Sequence, residues 1–418
     1  MDAKQARYAW IVVGLLVPVA LLNYLDRQML AAMKFSLMTD IPDIGSEANW
    51  GKILALFKWT YAFLSPIGGY LADRFSRRHV IAGSLVVWSA VTWATGQVNS
   101  YDQLLLTRAV MGISEAFYIP AALALIADYH LGATRSRAVG MHQMGIYAGV
   151  IIGGFSGYAA DSPELGWRWM FELCGLIGVL YAVPLFLLLR NAPSTIMPKN
   201  EPAKTSPGGA IRELLGNPSF LLLVLYFTLP AMAGWIVRDW MPAILKTEFG
   251  IGQGKAGVSA TLYWMVAAVV AAVGGGYLAD RWMKRTERGR IYTSAIGMVL
   301  IVIAMMGVGY SPQTGMLGVA IAFLIVFGLG WGLFDINNMP ILCQITRPHL
   351  RATGYGIMNL VSISCGGLAD WGFGRLRDLQ IPLLAIFGIF ASVALLSIVL
   401  VLLIRPSYRD TLPAPVIH

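Results

Sequence analysis

The sequence predicts an all-α polytopic membrane protein, with twelve transmembrane helices arranged as two pseudo-symmetric six-helix bundles. Three observations predict it. The 418 residues are 57% hydrophobic and only 13% charged, with a mean hydropathy of +0.65; a soluble chain carries roughly 25% charge. The apolar residues fall in long continuous runs and not in short alternating strands, which excludes an outer-membrane barrel as well as a disordered chain. A seven-residue block, Gly68-Gly69-Tyr70-Leu71-Ala72-Asp73-Arg74, recurs unchanged as Gly275-Gly276-Tyr277-Leu278-Ala279-Asp280-Arg281, at an offset of 207 residues. That offset is close to half the chain, so one half repeats the other in the same direction.

The spans follow in order. At roughly 20 apolar residues each, the first set lies near 8–35, 48–74, 79–97, 101–129, 135–160 and 167–190. The second lies near 218–247, 253–281, 290–309, 314–343, 350–374 and 380–404. The first run, from Tyr8 to about Leu22, leads into polar residues without a small-residue cleavage site, so it reads as part of span one and not as a signal peptide. The expected organisation is an N-terminal bundle over 1–190, a cytoplasmic linker over 191–216, a C-terminal bundle over 217–405 and a tail over 406–418. The linker holds Pro193, Pro198, Pro202 and Pro207, which break regular structure.

Well over half of the 31 Lys and Arg residues fall on one side of this topology. They include Lys4, Arg7, Arg74, Arg77, Arg78, Arg135, Arg190, Arg281, Lys284, Arg285 and Arg347. The short loops near 98–101 and 310–313 hold none. Positive residues collect on the cytoplasmic side, so both termini are expected there, in an inner or plasma membrane. The same distribution accounts for the net charge of +9 without a nucleic-acid partner. Cys174, Cys343 and Cys365 lie in apolar stretches and read as core thiols. No nucleophile–base set, phosphate loop or metal spacing stands out, so neither an enzyme nor a metal or organic cofactor is expected. The expected partners are a small anionic solute and the bilayer, and the expected state is a monomer.

Ionisable residues at membrane depth are costly and mark function by default. Asp26 and Arg27 stand in span one. Arg108 and Glu115 stand in span four, seven residues apart, which is about two turns and roughly 10 Å along one helix face. The alternative for these four is a structural cluster that locks helices together. Lys58 lies about ten residues into span two, sharing a face with Tyr61 and Ser65. It either adds a third cation to the cavity or snorkels to the surface. In the second half, Asp335 stands five residues before Pro340, as Glu115 stands five before Pro120. Asn337, Asn338 and Ser364 offer groups suited to hydroxyls, and Tyr147 lies in the glycine-rich span five. For any one of these polar residues, helix-to-helix packing is the competing reading. Arg238 and Asp239 in span seven either pair with neighbours or gate one mouth.

Gly69-x-x-x-Asp73-Arg74-x-x-Arg77-Arg78 resembles the loop signature of the major facilitator superfamily, with Ser76 where that family usually has glycine. The resemblance covers essentially the whole chain and implies transport by alternating access. It gives Asp73, Arg74, Asp280 and Arg281 the role of a conformational latch. Asn23-Tyr24-Leu25-Asp26-Arg27, Arg108-x-x-x-Gly112-x-x-Glu115-Ala116-x-x-x-Pro120 and Gly166-Trp167-Arg168 resemble the anion:cation symporter branch. That branch carries hexuronates, sugar acids and sialate. The match implies that Arg27 and Arg108 engage a substrate carboxylate, with Tyr24 and Tyr61 around them, and that Asp26 and Glu115 couple protons; Lys58 is a departure, since these families usually carry something small or neutral there. The same motifs, with Leu125-Ile126-Ala127-Asp128-Tyr129, also resemble Spinster-type carriers of lysolipids and sphingolipids. Proton-coupled symport of a sugar acid is the favoured expectation, and a Spinster-like lipid carrier is the alternative.

Overall fold

The computed structural model describes residues 3–130, 134–192, 207–347 and 350–406. They form sixteen α-helices. In the N-terminal half these are α1 (Ala3–Ala32), α2 (Lys34–Asp40), α3 (Glu47–Arg74), α4 (Arg77–Thr95), α5 (Tyr101–Glu115), α6 (Tyr118–Tyr129), α7 (Arg135–Asp161) and α8 (Gly166–Leu188). A short helix α9 (Pro207–Leu215) leads into the C-terminal half. That half comprises α10 (Pro218–Phe249), α11 (Gln253–Met283), α12 (Gly289–Thr314), α13 (Leu317–Asp335), α14 (Asn338–Ile345), α15 (Arg351–Asp378) and α16 (Leu383–Leu403).

Counting α5–α6 and α13–α14 as broken single traverses, the described residues make twelve crossings, six in each half. Nine of these, among the described residues, are apolar enough to span a bilayer by length and composition alone. The other three, α3, α4 and α15, carry more polar residues, and α3 and α15 pack against each other across the two halves. The linker and the tail fall largely outside the described residues. The part of the linker that is described, 207–215, is helical, with Ala210 and Leu214 buried on one face.

The two breaks have one cause. Pro120 cannot donate to the carbonyl of Ala116, nor Pro340 to that of Ile336. The helices therefore stop at Glu115 and at Asp335 and restart after two intervening residues. Gly68 of α3 packs against the turn this creates. A Cβ on Gly68 would stand only 2.6 Å from the Ala116 carbonyl oxygen.

Within each half the packing repeats. α1 lies along α7 as α10 lies along α15; α4 lies along α8 as α12 lies along α16; α3 lies along α5 as α11 lies along α13. The halves meet through α3 against α15 and, by the same pseudo-symmetry, through α11 against α7. Glycines let these backbones touch. A Cβ on Gly51 would stand 2.4 Å from the Asp370 carbonyl oxygen, and one on Gly257 would stand 2.2 Å from that of Gly154.

This seam lies at one end of the molecule, called here the sealed end. Two carboxylates cap helices across it. Asp378, closing α15, accepts from the Glu47 and Ala48 amides of α3 at 2.9 and 3.0 Å. Asp161, closing α7, accepts from the Gly254 amide of α11 at 2.9 Å. Anions at helix N-termini satisfy otherwise orphaned amides, so each half caps the other. The buried Lys34 pairs with Glu47 nearby and lies 4.8 Å from the Trp240 ring centre. The repeated Gly-Gly-Tyr-Leu-Ala-Asp-Arg blocks lie at the opposite end.

Candidate functional site

The site is built where α1, α3 and α5 of one half face α10 of the other, at mid-depth. Arg27 is its centre. Its Nε donates to Glu115 Oε2 at 2.7 Å, and its Nη2 lies 2.7 Å from the same oxygen. The guanidinium carbon sits 4.7 Å from the ring centres of both Tyr24 and Phe57 and 4.9 Å from that of Tyr61. Three aromatic faces thus surround one cation, an arrangement worth more once water is excluded. Glu115 is fully buried. It can be so because it ends α5 at the Pro120 break, directed towards α1.

Adjacent residues on a helix point about 100° apart. Asp26 accordingly leaves the cavity and accepts from Thr92 of α4 at 2.9 Å. Arg108, one face with Glu115 as its spacing required, is 2% exposed and donates to Thr95 at 3.4 Å. Asp26 Oδ1 and Arg108 Nε are buried with no hydrogen-bond partner in the structure, and the buried Asn23 amide lies against Glu115. Buried polar atoms are normally satisfied.

A cavity of about 30 Å³ is lined by Arg27, Leu30, Leu54, Phe57, Lys58, Arg108, Trp235, Arg238 and Asp239. It has room for about one or two waters. Sequence reasoning did not place Arg238 or Trp235 in the site. Arg238 lies 5.1 Å from the Tyr24 ring centre and 5.3 Å from that of Trp235, and Gln28 of α1 donates to its carbonyl at 3.2 Å. The repeat could have found it. Adding the 207-residue offset to Arg27 reaches Gly234, one helical turn before Arg238 on the equivalent helix.

Lys58 follows neither of its two sequence readings cleanly. It is buried and lines the cavity, but its ammonium reaches across the boundary between the halves. There it pairs with Asp239 of α10 and Asp370 of α15, 4.4 Å from the Trp235 ring centre. Asp370 was not singled out in the sequence, since its partner stands 312 positions away.

The remaining predicted residues lie around this centre and not in the cavity lining. Tyr147 packs against the apolar core beside α1. Asn337 is buried and donates to the Leu333 carbonyl at 2.9 Å. Asn338 is buried beside it, with its side chain against Asp335. Ser364 stands on the seam, where its carbonyl accepts from Trp59 at 3.1 Å. Asp335, unlike its counterpart Glu115, is open to solvent, yet it lies deep in the protein beside Asn338, Arg238 and Tyr147. Of the latch residues, Asp280 lies 3.7 Å from Arg290 of its own half, and Arg281 is exposed. Arg74 has an interaction partner, and the side chain of Asp73 lies outside the described residues.

The Major Facilitator Superfamily profile matches residues 16–369. The chain belongs to this superfamily, a family of transporters. Among curated relatives, it is 32% identical to protein spinster homolog 1 of Bos taurus over 253 residues, which is 58% of this chain and 47% of that protein. It is 28% identical to an MFS-type efflux pump of Mycolicibacterium smegmatis over 387 residues, covering 90% of this chain and 86% of the pump. The chain spans about half the length of the spinster homologs it matches in mammals. Among solved structures, a bacterial homolog of the human lysosomal transporter Spinster superposes with a TM-score of 0.76 at 21% identity over 95% of both chains. A D-xylose–proton symporter superposes with a TM-score of 0.75 at 17% identity over 96% of this chain and 98% of that one. The fold expected from the sequence is thus found, and the sequence likeness is Spinster-like. Nothing among these relatives supports the anion:cation symporter branch.

Proposed function

We propose that this chain is a Spinster-like secondary transporter that carries an amphipathic solute with an anionic headgroup, coupled to protons, by rocking its two halves about the Arg27 site. The observation that supports this reading most is the state of Arg27. Its charge is neutralised by Glu115 inside a box of three aromatic rings.

A substrate anion therefore has to displace Glu115 as the partner of Arg27. Protonating Glu115 weakens the charge-assisted pair and frees the guanidinium. Anion and proton then enter together, because the anion takes the charge position that the proton has cleared. Asp26, beside the same cluster, is a second carboxylate that takes part in the exchange. Arg108 and Arg238 add positive charge around the cavity. Leu30, Leu54, Phe57 and Trp235 put apolar and aromatic surface beside these charges, and this mixed lining supports a solute with both an anionic group and an apolar part over a polyhydroxylated sugar acid. The positive residues around the end opposite the seal support a cytoplasmic location for that end, with both termini on the same side.

The reading is tested by binding of a lysophospholipid and of a set of sugar acids to the purified protein at pH 5.5 and 7.5. Saturable lysophospholipid binding, tighter at the lower pH and absent in Arg27→Ala, supports it. A response to sugar acids alone would return the function to organic-anion symport.

A further inference from the structure

The exchange proposed at Arg27 does not use the Lys58–Asp239–Asp370 triad, a buried charge cluster that joins the two halves. Lys58 comes from α3, whereas both carboxylates come from the other half. The Asp370 side chain is fully buried, and those of Lys58 and Asp239 are 4% and 11% exposed. The helices that carry the carboxylates, α10 and α15, pack against each other within their half. When the halves rock apart at the sealed end, the two aspartates stay together and the lysine leaves. Halves of such transporters move largely as rigid bodies.

We propose that Asp239 and Asp370 form a cation-binding site at the half boundary, which Lys58 fills as a tethered cation whenever the end is sealed and which a proton fills when Lys58 is absent. Two carboxylates sharing one buried position cannot both stay ionised without a cation between them. The other charged groups nearby do not substitute. Arg238 is the chain neighbour of Asp239 and is stacked between Tyr24 and Trp235. Arg27 and Arg108, which line the same cavity from α1 and α5, are held by Glu115 and Thr95. Trp59 and Trp235 carry no charge. Lys58 is thereby the residue that sets how readily the sealed end closes, and its removal turns closure into a proton-dependent step.

The test uses the full chain in lipid nanodiscs, with Cys174, Cys343 and Cys365 replaced by serine. Spin labels are attached at Asp43→Cys and Leu379→Cys, exposed positions at the sealed end of either half. Pulsed dipolar spectroscopy then reads the ratio of closed to open populations at pH 8 and pH 5. Breaking one side of a buried ion cluster is strongly destabilising. In Lys58→Met the closed-to-open ratio at pH 8 should therefore fall roughly tenfold or more below wild type, and it should recover towards wild type at pH 5. Adding Asp239→Asn and Asp370→Asn to Lys58→Met should restore closure at pH 8. The two asparagine substitutions alone strand the buried lysine, and they should open the end at both pH values. This second variant decides the matter if Lys58→Met does not fold. A Lys58→Met protein as closed as wild type at pH 8, or equally open at both pH values, would overturn the proposal. So would a triple variant that stays open. The measurement needs no substrate, so its outcome is independent of the transport reading.

Discussion

Arg27 and Glu115 show how much a single pair can decide. Both were legible in the sequence, because ionisable side chains are anomalous in a hydrocarbon setting. Their contact was not, since 88 positions separate them. The aromatic box was half legible: Tyr24 and Tyr61 stood out in the motif, but Phe57 looked like any apolar residue of a span. Arg238 was noticed but not placed at the Arg27 site, and Asp370 was not noticed, because each acquires its meaning only from the opposing half. The pair makes a direct prediction. Glu115→Gln removes the competitor of the substrate anion and imitates the protonated acid. Binding of the anionic ligand should become tight at neutral pH and lose its dependence between pH 5.5 and 7.5. Isothermal titration at several pH values checks this. An unchanged pH dependence would remove Glu115 from the proton path. Arg27→Lys should rescue Arg27→Ala poorly, because an ammonium cannot match the planar fork that holds Glu115 and stacks on the rings.

At the scale of elements, the features that shape the site are a proline and a glycine seam. The breaks at Pro120 and Pro340 were visible as a repeated spacing from an acid to a proline, and they end α5 and α13 at the carboxylates. The seam was visible only as an abundance of glycine, because a sequence does not say which backbone each glycine meets. Helix α9 was missed for a related reason. Four prolines coloured the whole linker, although Pro207 at a helix start followed by Ala210 and Leu214 is a helix signal in itself. The seam carries its own prediction. Gly51→Leu forces a side chain against the Asp370 carbonyl, where even a Cβ is too close. Each half keeps its own packing, so the protein should still fold and elute as wild type. The sealed end should lose its closed population, and transport should be lost with it. Disulfide trapping between Asp43→Cys and Leu379→Cys reports the first, and ligand uptake into proteoliposomes the second. Full trapping efficiency in the leucine variant would show that the seam is looser than its geometry implies.

The whole molecule is two copies of one design given different charges. The repeat of seven residues, the apolar runs and the basic loops were enough to reach the fold. The branch of the superfamily was not, since the motifs in spans one and four are shared by sugar-acid carriers and Spinster-type proteins alike, and the likeness found lies with the latter. The asymmetry between halves is where function resides. The first half carries the neutralised Arg27–Glu115 pair, and the second supplies Arg238 and the carboxylates that hold Lys58. On the proposed mechanism, rocking the halves joins these charges in one state and separates them in the other. The central claim, that a proton and an anion exchange at Arg27, is tested most directly by uptake of a labelled lysophospholipid into proteoliposomes, with and without an imposed proton gradient. Wild type should accumulate the ligand when protons flow with it and only equilibrate it when the gradient is collapsed. Glu115→Gln should equilibrate it at a comparable rate under both conditions. Gradient-driven accumulation by Glu115→Gln equal to that of wild type would contradict the account.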